Sequence, residues 1–374
     1  MKNKAVFIAA TGQHVGKTTT SLGIFSGLQS RFGRVGFIKP VGQQHKMVEN
    51  GLLVDKDVVL FKEHFNLDEE YPMMSPVLFP SGFTRDYLDG KIAFESLEKK
   101  ILTAFDHIVS NNEFALVEGT GHMGVGSIVN LNNAQVAKLL GIDVVIVASG
   151  GIGKTFDELA LNINMCESLG VSIRGVILNR VYDDKREMII KYVTKALKNW
   201  GIPLIGCIPF SEFLNSHTMK DFENLFKSKL ISGERHRYRH YLNTRLMSTA
   251  CVEHFMEMKI PKQLIITHSS REDVIDAILE KDKINKNNGY DPDLAGGLLL
   301  TGKFPPSERI LEKAIREEYP IIYAPVSSYE AMNMITHHTG KIRKEDTRKV
   351  QEAIEVVQKH VDFDMLCQTT SNKT

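Results

Sequence analysis

Ala5-Val6-Phe7-Ile8-Ala9-Ala10-Thr11-Gly12-Gln13-His14-Val15-Gly16-Lys17-Thr18 is the stretch that decides the fold. Six apolar residues run into a glycine loop, and an amphipathic stretch, 19–31, follows. The apolar run is too short for a signal-peptide core or a membrane span. Strand, glycine loop and helix in this order make a phosphate-binding loop, because backbone N–H groups and a helix N-terminus then face the anion. Gly16 lets the backbone approach phosphate, Lys17 neutralises the terminal phosphates, and the Thr18 hydroxyl is placed to ligate Mg²⁺. Gly12, Gln13, His14, Val15, Gly16, Lys17, Thr18 and Thr19 are therefore the candidate contacts of ATP. The strict pattern GxxxxGK[ST] wants glycine at 11, where this chain has Thr11. A chance GKT is the competing reading, and the strand–loop–helix context speaks against it.

Working outward, apolar runs at 5–10, 35–38, 114–118, 144–148, 175–178 and 204–208 alternate with amphipathic stretches at 96–110, 133–140, 157–169 and 186–200. Continuous apolar strands separated by helices predict a doubly wound parallel α/β sheet covered on both faces. The long irregular connection 41–90 has the size of a substrate or lid region. A second near-match, Ser149-Gly150-Gly151-Ile152-Gly153-Lys154-Thr155, reads either as a loop bearing on the site or as a plain glycine turn.

The pattern lapses after Pro209-Phe210 and resumes with strands at 263–267, 295–300 and 321–324 and helices at 272–280, 307–318, 328–336 and 347–360. The reading therefore sets a first domain at 1–230, a second, smaller α/β domain at 231–362 and a polar tail at 363–374. A net charge of +1 gives no bulk pull toward nucleic acid or an anionic membrane, and neither is expected as a partner. Cys166, Cys207, Cys251 and Cys367 form no CxxC pair, which suits a reducing compartment and a cytoplasmic location.

The loop, Phe37-Ile38-Lys39-Pro40-Val41, Val117-Glu118-Gly119-Thr120-Gly121 and Val176-Ile177-Leu178-Asn179-Arg180-Val181 together resemble the dethiobiotin synthetase family of P-loop ligases. They are more similar still to the dethiobiotin-synthetase-like N-terminal domain of long bacterial phosphotransacetylases. Ser270-Arg271-Glu272-Asp273, with Leu300-Thr301-Gly302-Lys303, resembles the DRTGG domain that follows there. Ser270 and Lys303 depart from that pattern, which puts any ligand site built from those positions in question. The acetyl-transferring domain of the long enzymes has no counterpart in the 374 residues, so acetyl phosphate formation is not expected.

The resemblance implies ATP-dependent transfer of a phosphoryl group to a small carboxylate, with Lys17 and Lys39 as the catalytic cations. It implies Mg²⁺ held by Thr18, Asp57 and Glu118, Asp55 being close enough to leave the register open. It also implies a base contact from Asn179, and with Tyr182 where guanine-selective loops carry a carboxylate, adenine over guanine. His122, the pair His337-His338 and the basic–aromatic run 235–241 read more simply as loop, helix-end and linker residues. A nucleotide-sensing regulatory module without turnover is the rival to the ligase reading. The small-molecule substrate has no readable motif, and a homodimer is left open.

Overall fold

In the computed structural model, which describes residues 4–48, 51–247, 252–257, 259, 261–338, 340 and 342–368, the apolar runs of the first half pair into one sheet. Its elements are β1 (Ala5–Ala10), α1 (Lys17–Gln29), β2 (Val35–Ile38), α2 (Lys56–Phe65), α3 (Phe94–Asn111), β3 (Phe114–His122), α4 (Asn133–Leu140), β4 (Val144–Ser149), α5 (Gly153–Ser168), β5 (Ile173–Val181), α6 (Asp183–Leu197) and β6 (Leu204–Pro209). The strand order is β6-β5-β4-β1-β3-β2, and every pairing is parallel. Strands β1 and β2 are buried along their whole length, as a sheet covered on both faces requires. Because β1 is central, the loop at its C-terminal end opens at the carboxyl edge of the sheet, where such folds bind ligands.

The connection 41–90 is less irregular than its sequence suggests, since α2 lies within it. Phe61 of α2 stacks on Phe37 of β2 with ring centroids 3.8 Å apart, and Phe25 of α1 meets Phe61 edge-on at 5.6 Å. These aromatic contacts fix α2 beside β2.

A second unit, Ser211–Lys341, has its own sheet. Its elements are α7 (Met219–Phe226), β7 (Leu230–Ser232), β8 (Asn243–Leu246), β9 (Gln263–His268), α8 (Glu272–Asn287), β10 (Gly297–Thr301), α9 (Glu308–Arg316), β11 (Ile321–Ala324) and α10 (Ser328–His337). The order is β7-β11-β10-β9-β8, with β7 antiparallel to β11 and the other pairs parallel. Strands β7 and β8 and helix α7 had no place in the sequence reading. Both are edge strands of three or four residues, too short to show a pattern.

The chain then returns to the first unit, which comprises Met1–Phe210 and Ile342–Thr374. The units thus divide at 210/211 and 341/342, whereas the sequence reading placed the boundary near Leu230 and assigned 347–360 to the second domain. The reason is packing. Helix α11 (Thr347–His360) and helix α12 (Phe363–Cys367) lie against α1. A Cβ added at Gly23 would stand 2.3 Å from Val357 Cβ, and one at Gly27 would stand 2.1 Å from Phe363 Cζ. One turn apart on α1, the two glycines open the groove that receives the C-terminal helices. Arg174, buried, donates to the Leu366 carbonyl at 2.9 Å. Of the expected polar tail, residues 363–367 are therefore helical with Phe363 and Leu366 buried, and 369–374, like Cys251, lie outside the described residues.

Gly27→Ala should destabilise the protein. Overpacking against Phe363 costs about 1–3 kcal/mol, against about 1 kcal/mol returned by helix propensity. The same substitution in a Phe363→Ala background should cost less. Equal costs in the two backgrounds, measured by urea denaturation, would contradict this packing.

Candidate functional site

Strand β1 delivers Thr11 to the sheet edge, and the chain turns there through His14 (φ 59°) and Gly16 (φ 93°) before α1 begins. Gly16 is required on two counts: its φ is positive, and a Cβ there would meet Asn179 Nδ2 at 2.2 Å. Thr11 has no positive φ, so a side chain is tolerated where the strict pattern has glycine. Its hydroxyl donates to Glu158 Oε2 of α5 at 3.3 Å. Asn179, 4% exposed at the end of β5, donates Nδ2 to the Val15 carbonyl at 2.9 Å and accepts from Arg180 N–H at 2.9 Å. Its amide thus bonds to the loop backbone and braces the loop from beneath.

Lys17 opens α1, half-buried. Burial lowers its ammonium to about 8 against the pull of Glu118, with Lys39 adding to the lowering. Lys39 follows β2, 5% exposed, and its Nζ lies 3.0 Å from Asp55 Oδ1, in contact with Asp57 Oδ2 and 3.8 Å from Glu118 Oε1. Burial alone would lower Lys39, but Asp57, Asp55 and Glu118 overcome it and hold the ammonium far above its ordinary value. Asp55 caps α2 by accepting from Asp57 N–H at 2.9 Å, so the helix that Phe61 fixes also aims both carboxylates at Lys39. Both carboxylates lie against Lys39.

Glu118, within β3, is fully buried and accepts from the Thr18 hydroxyl at 3.3 Å. Burial and the neighbouring Asp57 push its carboxyl up to about 7 against Lys39 and Lys17, and burial likewise raises Asp55. Beyond Glu118 the strand end is fixed by Asn133, whose amide exchanges two hydrogen bonds of 2.9 Å with the Thr120 backbone.

Asp55 Oδ2 and Glu118 Oε2 are buried without a hydrogen-bond partner. Such oxygens are costly unless a cation or donor completes them. Among the described residues no group of three His, Cys, Asp or Glu side chains is arranged to hold a metal unaided. Mg²⁺ at a phosphate loop does not need one, since it keeps waters, takes phosphate oxygens and uses one or two carboxylates. The donor set of the Thr18 hydroxyl with Glu118 and Asp57 fits that chemistry.

The second glycine loop is a turn: Thr155 turns its hydroxyl back onto the Ser149 carbonyl at 2.9 Å, and Lys154 is 91% exposed. His122 is exposed and accepts from Gly124 N–H. In the basic run, Arg237 pairs with Glu223 and Glu234, Arg235 with Glu318, and Arg239 donates to the Gly296 carbonyl. Ser270 bonds to His268, which packs over Gly302, and Lys303 lies 5.6 Å from the Phe304 ring centroid. His338 offers its carbonyl to His217.

Arg180, which stands in the stretch that carries the resemblance, was not among the candidate site residues. Its backbone is left-handed (φ 60°), its half-buried guanidinium lies beside Gly16, and burial lowers its pKa. Among the described residues the guanidinium has no hydrogen-bond or ion-pair partner. The sequence shows Asn179-Arg180, but nothing in it marks a positive φ.

Residues 4–218 match the family model AAA_26, described as an AAA domain, and residues 223–338 match the DRTGG domain model. A phosphate acetyltransferase of Pseudomonas aeruginosa is 26% identical over 383 residues, covering 97% of this chain and 51% of that protein. The ATP-dependent dethiobiotin synthetase BioD of Methanocaldococcus jannaschii is 24% identical over 228 residues, covering 59% of this chain and 100% of that protein. The MinC:MinD cell division protein complex of Aquifex aeolicus superposes with a TM-score of 0.37 at 18% identity, covering 56% of this chain and 83% of that one. The chain spans about half the length of the phosphate acetyltransferases it matches. No helix of the described residues is long and apolar enough to cross a membrane.

The buried carboxylate generates a pH signature. Glu118 binds its proton more tightly folded, at about 7, than at its ordinary 4.5. Its contribution to stability is therefore full below pH 4.5, falls as pH rises toward 7 and is flat above. Lys39 stays charged throughout, and Asp55 adds slope of the same sign at the lower end. Glu118→Gln should flatten the fall in stability between pH 5 and about 7 by up to a few kcal/mol. Denaturation midpoints with the same pH slope in both proteins would contradict the placement.

Proposed function

The chain belongs to the AAA_26 family, and from that premise we propose that it binds MgATP at the carboxyl edge of its first sheet and transfers the γ-phosphoryl group to a small carboxylate. One observation carries the reading. Two ammonium groups, Lys17 and Lys39, share a site with the Thr18 hydroxyl and the carboxylates Glu118 and Asp57, at the end of a glycine loop. Such transfer needs little covalent help from the protein and depends on positioning and charge neutralisation.

In this reading backbone N–H groups between Gly12 and Thr19 cradle the phosphates, and Lys17 neutralises the terminal ones. Thr18, Glu118 and Asp57 would hold Mg²⁺, which would supply charge neutralisation to the nucleotide phosphates. Lys39 faces the transferring group. A carboxylate oxygen attacks γ-phosphorus as the bond to the ADP oxygen breaks, giving an acyl phosphate and ADP. Asn179 enters as the residue that fixes the loop, and Arg180 as a cation at its rim. Adenine over guanine is kept as a proposal supported by Tyr182 standing where guanine selection needs a carboxylate.

A nucleotide-sensing module without turnover is the second reading. It is favoured by Lys39 being held by three carboxylates, which leaves it little charge to offer a phosphoryl group. ATP hydrolysis measured against a panel of small carboxylates separates the two: stimulation supports transfer, and a flat response across the panel supports sensing.

Lys17→Ala should weaken ATP binding roughly 100-fold, about 2.8 kcal/mol, with the fold intact. Unchanged affinity by calorimetry would remove the loop from the site. Glu118→Gln should cost far more affinity for MgATP than for metal-free ATP, and equal losses would make Glu118 a purely structural residue.

A further inference from the structure

His122 closes the strand that carries Glu118, and the last turn of that strand is irregular. Ile8 of β1 stands opposite Glu118 and Ala10 opposite His122, so the step from Glu118 to His122 on β3 matches only the step from Ile8 to Ala10 on β1. A bulge of this kind re-aims the side chain that follows it. Here it is held in detail. Gly121 turns through a left-handed φ of 62°. Asn133, buried, exchanges its two bonds with the Thr120 backbone and also donates Nδ2 to the His122 carbonyl at 2.7 Å.

The bulge is tied on both sides to segments that carry the site. Asn162 of α5, buried, accepts from Met123 N–H at 3.0 Å and donates to the Thr11 carbonyl at 3.4 Å, which joins the residue after His122 to the start of the glycine loop. The Thr120 hydroxyl donates to the Val41 carbonyl, just beyond Lys39-Pro40. In the sheet, β3 runs between β1 and β2. His122 therefore reaches the carboxyl edge between the glycine loop, which follows β1, and Lys39, which follows β2.

The imidazole itself has a fixed sense. Nδ1 accepts from Gly124 N–H at 3.1 Å, so in the neutral ring Nε2 carries the hydrogen. The ring is exposed, and Nε2 has no hydrogen-bond partner among the described residues. The bulge, with its amide clamps, thus ends in one N–H donor at the carboxyl edge, and an N–H donor bonds most strongly to an ionised oxygen. We propose, on the transfer reading above, that His122 is a substrate-recognition residue: Nε2–H donates to the carboxylate that receives the phosphoryl group and holds it between the glycine loop and Lys39.

The test is ATP hydrolysis by the full chain, titrated with formate, acetate, propionate, succinate and glutamate. Stimulation by at least one of them is expected. His122→Ala should raise the half-saturating concentration of that carboxylate by about tenfold or more, the loss expected for a hydrogen bond to a charged group, and leave that of ATP unchanged. Two further variants separate recognition from loop structure. His122→Gln places an amide N–H near the position of Nε2 and should recover much of the response. His122→Asn places its amide near Nδ1, where it can keep the Gly124 bond, and should not. A carboxylate response unchanged in His122→Ala, an equal rise for ATP, or better recovery by Asn than by Gln would overturn the assignment and leave the transfer reading standing. No stimulation of the unsubstituted protein by any of the five would overturn the transfer reading and this assignment with it.

Discussion

The ammonium of Lys39, buried among Asp55, Asp57 and Glu118, is the constraint on which the first unit depends. A cation out of water must be paired. Removing one partner of such a group costs about 3–5 kcal/mol, because the remaining charge is left uncompensated. The partners come from two further elements: α2 brings Asp55 and Asp57, and β3 brings Glu118, which the Thr18 hydroxyl ties to α1. Phe37, two residues before Lys39, stacks on Phe61, four residues after Asp57. Packing and charge thus specify the same register for α2. Those groups also lie where the glycine loop ends, so the geometry that stabilises the fold is the geometry proposed to meet phosphates and metal.

The loop itself is held by a different device. Gly16 must be glycine because Asn179 reaches under it, and Asn179 is positioned by β5, whose Ser149↔Asn179 register with β4 brings it level with the second glycine loop. Thr11, the departure from the strict pattern, is absorbed by Glu158 of α5. The two glycine loops therefore differ in kind. Lys17 is half-buried among opposite charges, while Lys154 is 91% exposed and its neighbouring threonine hydroxyl is turned onto its own backbone.

Much of this was legible in the sequence. Continuous apolar strands gave the parallel sheet, Lys17 and Thr18 could be named from the loop-to-helix junction, and Lys39 and Glu118 from the family resemblance. What escaped has physical reasons. Gly23 and Gly27 read as ordinary small residues within a helix, so the return of 347–367 to the first unit was invisible until Val357 and Phe363 were seen to fill their places. Strands β7 and β8 are only three and four residues long, too short to show an alternating pattern. The bond from Asn179 to the Val15 carbonyl was not legible, because an amide can serve a base or a backbone equally well.

In the function proposed above, the Lys39 cluster becomes a metal site only when nucleotide phosphates join it. Mn²⁺ substitutes for Mg²⁺ at oxygen sites and is read directly by electron paramagnetic resonance. Titrated into the protein, Mn²⁺ should bind weakly without ATP, because Lys39 already occupies the carboxylates, and tightly with ATP, with the gain lost in Asp57→Asn. Tight Mn²⁺ binding without ATP, or ATP-supported binding unchanged in Asp57→Asn, would contradict this reading of the site.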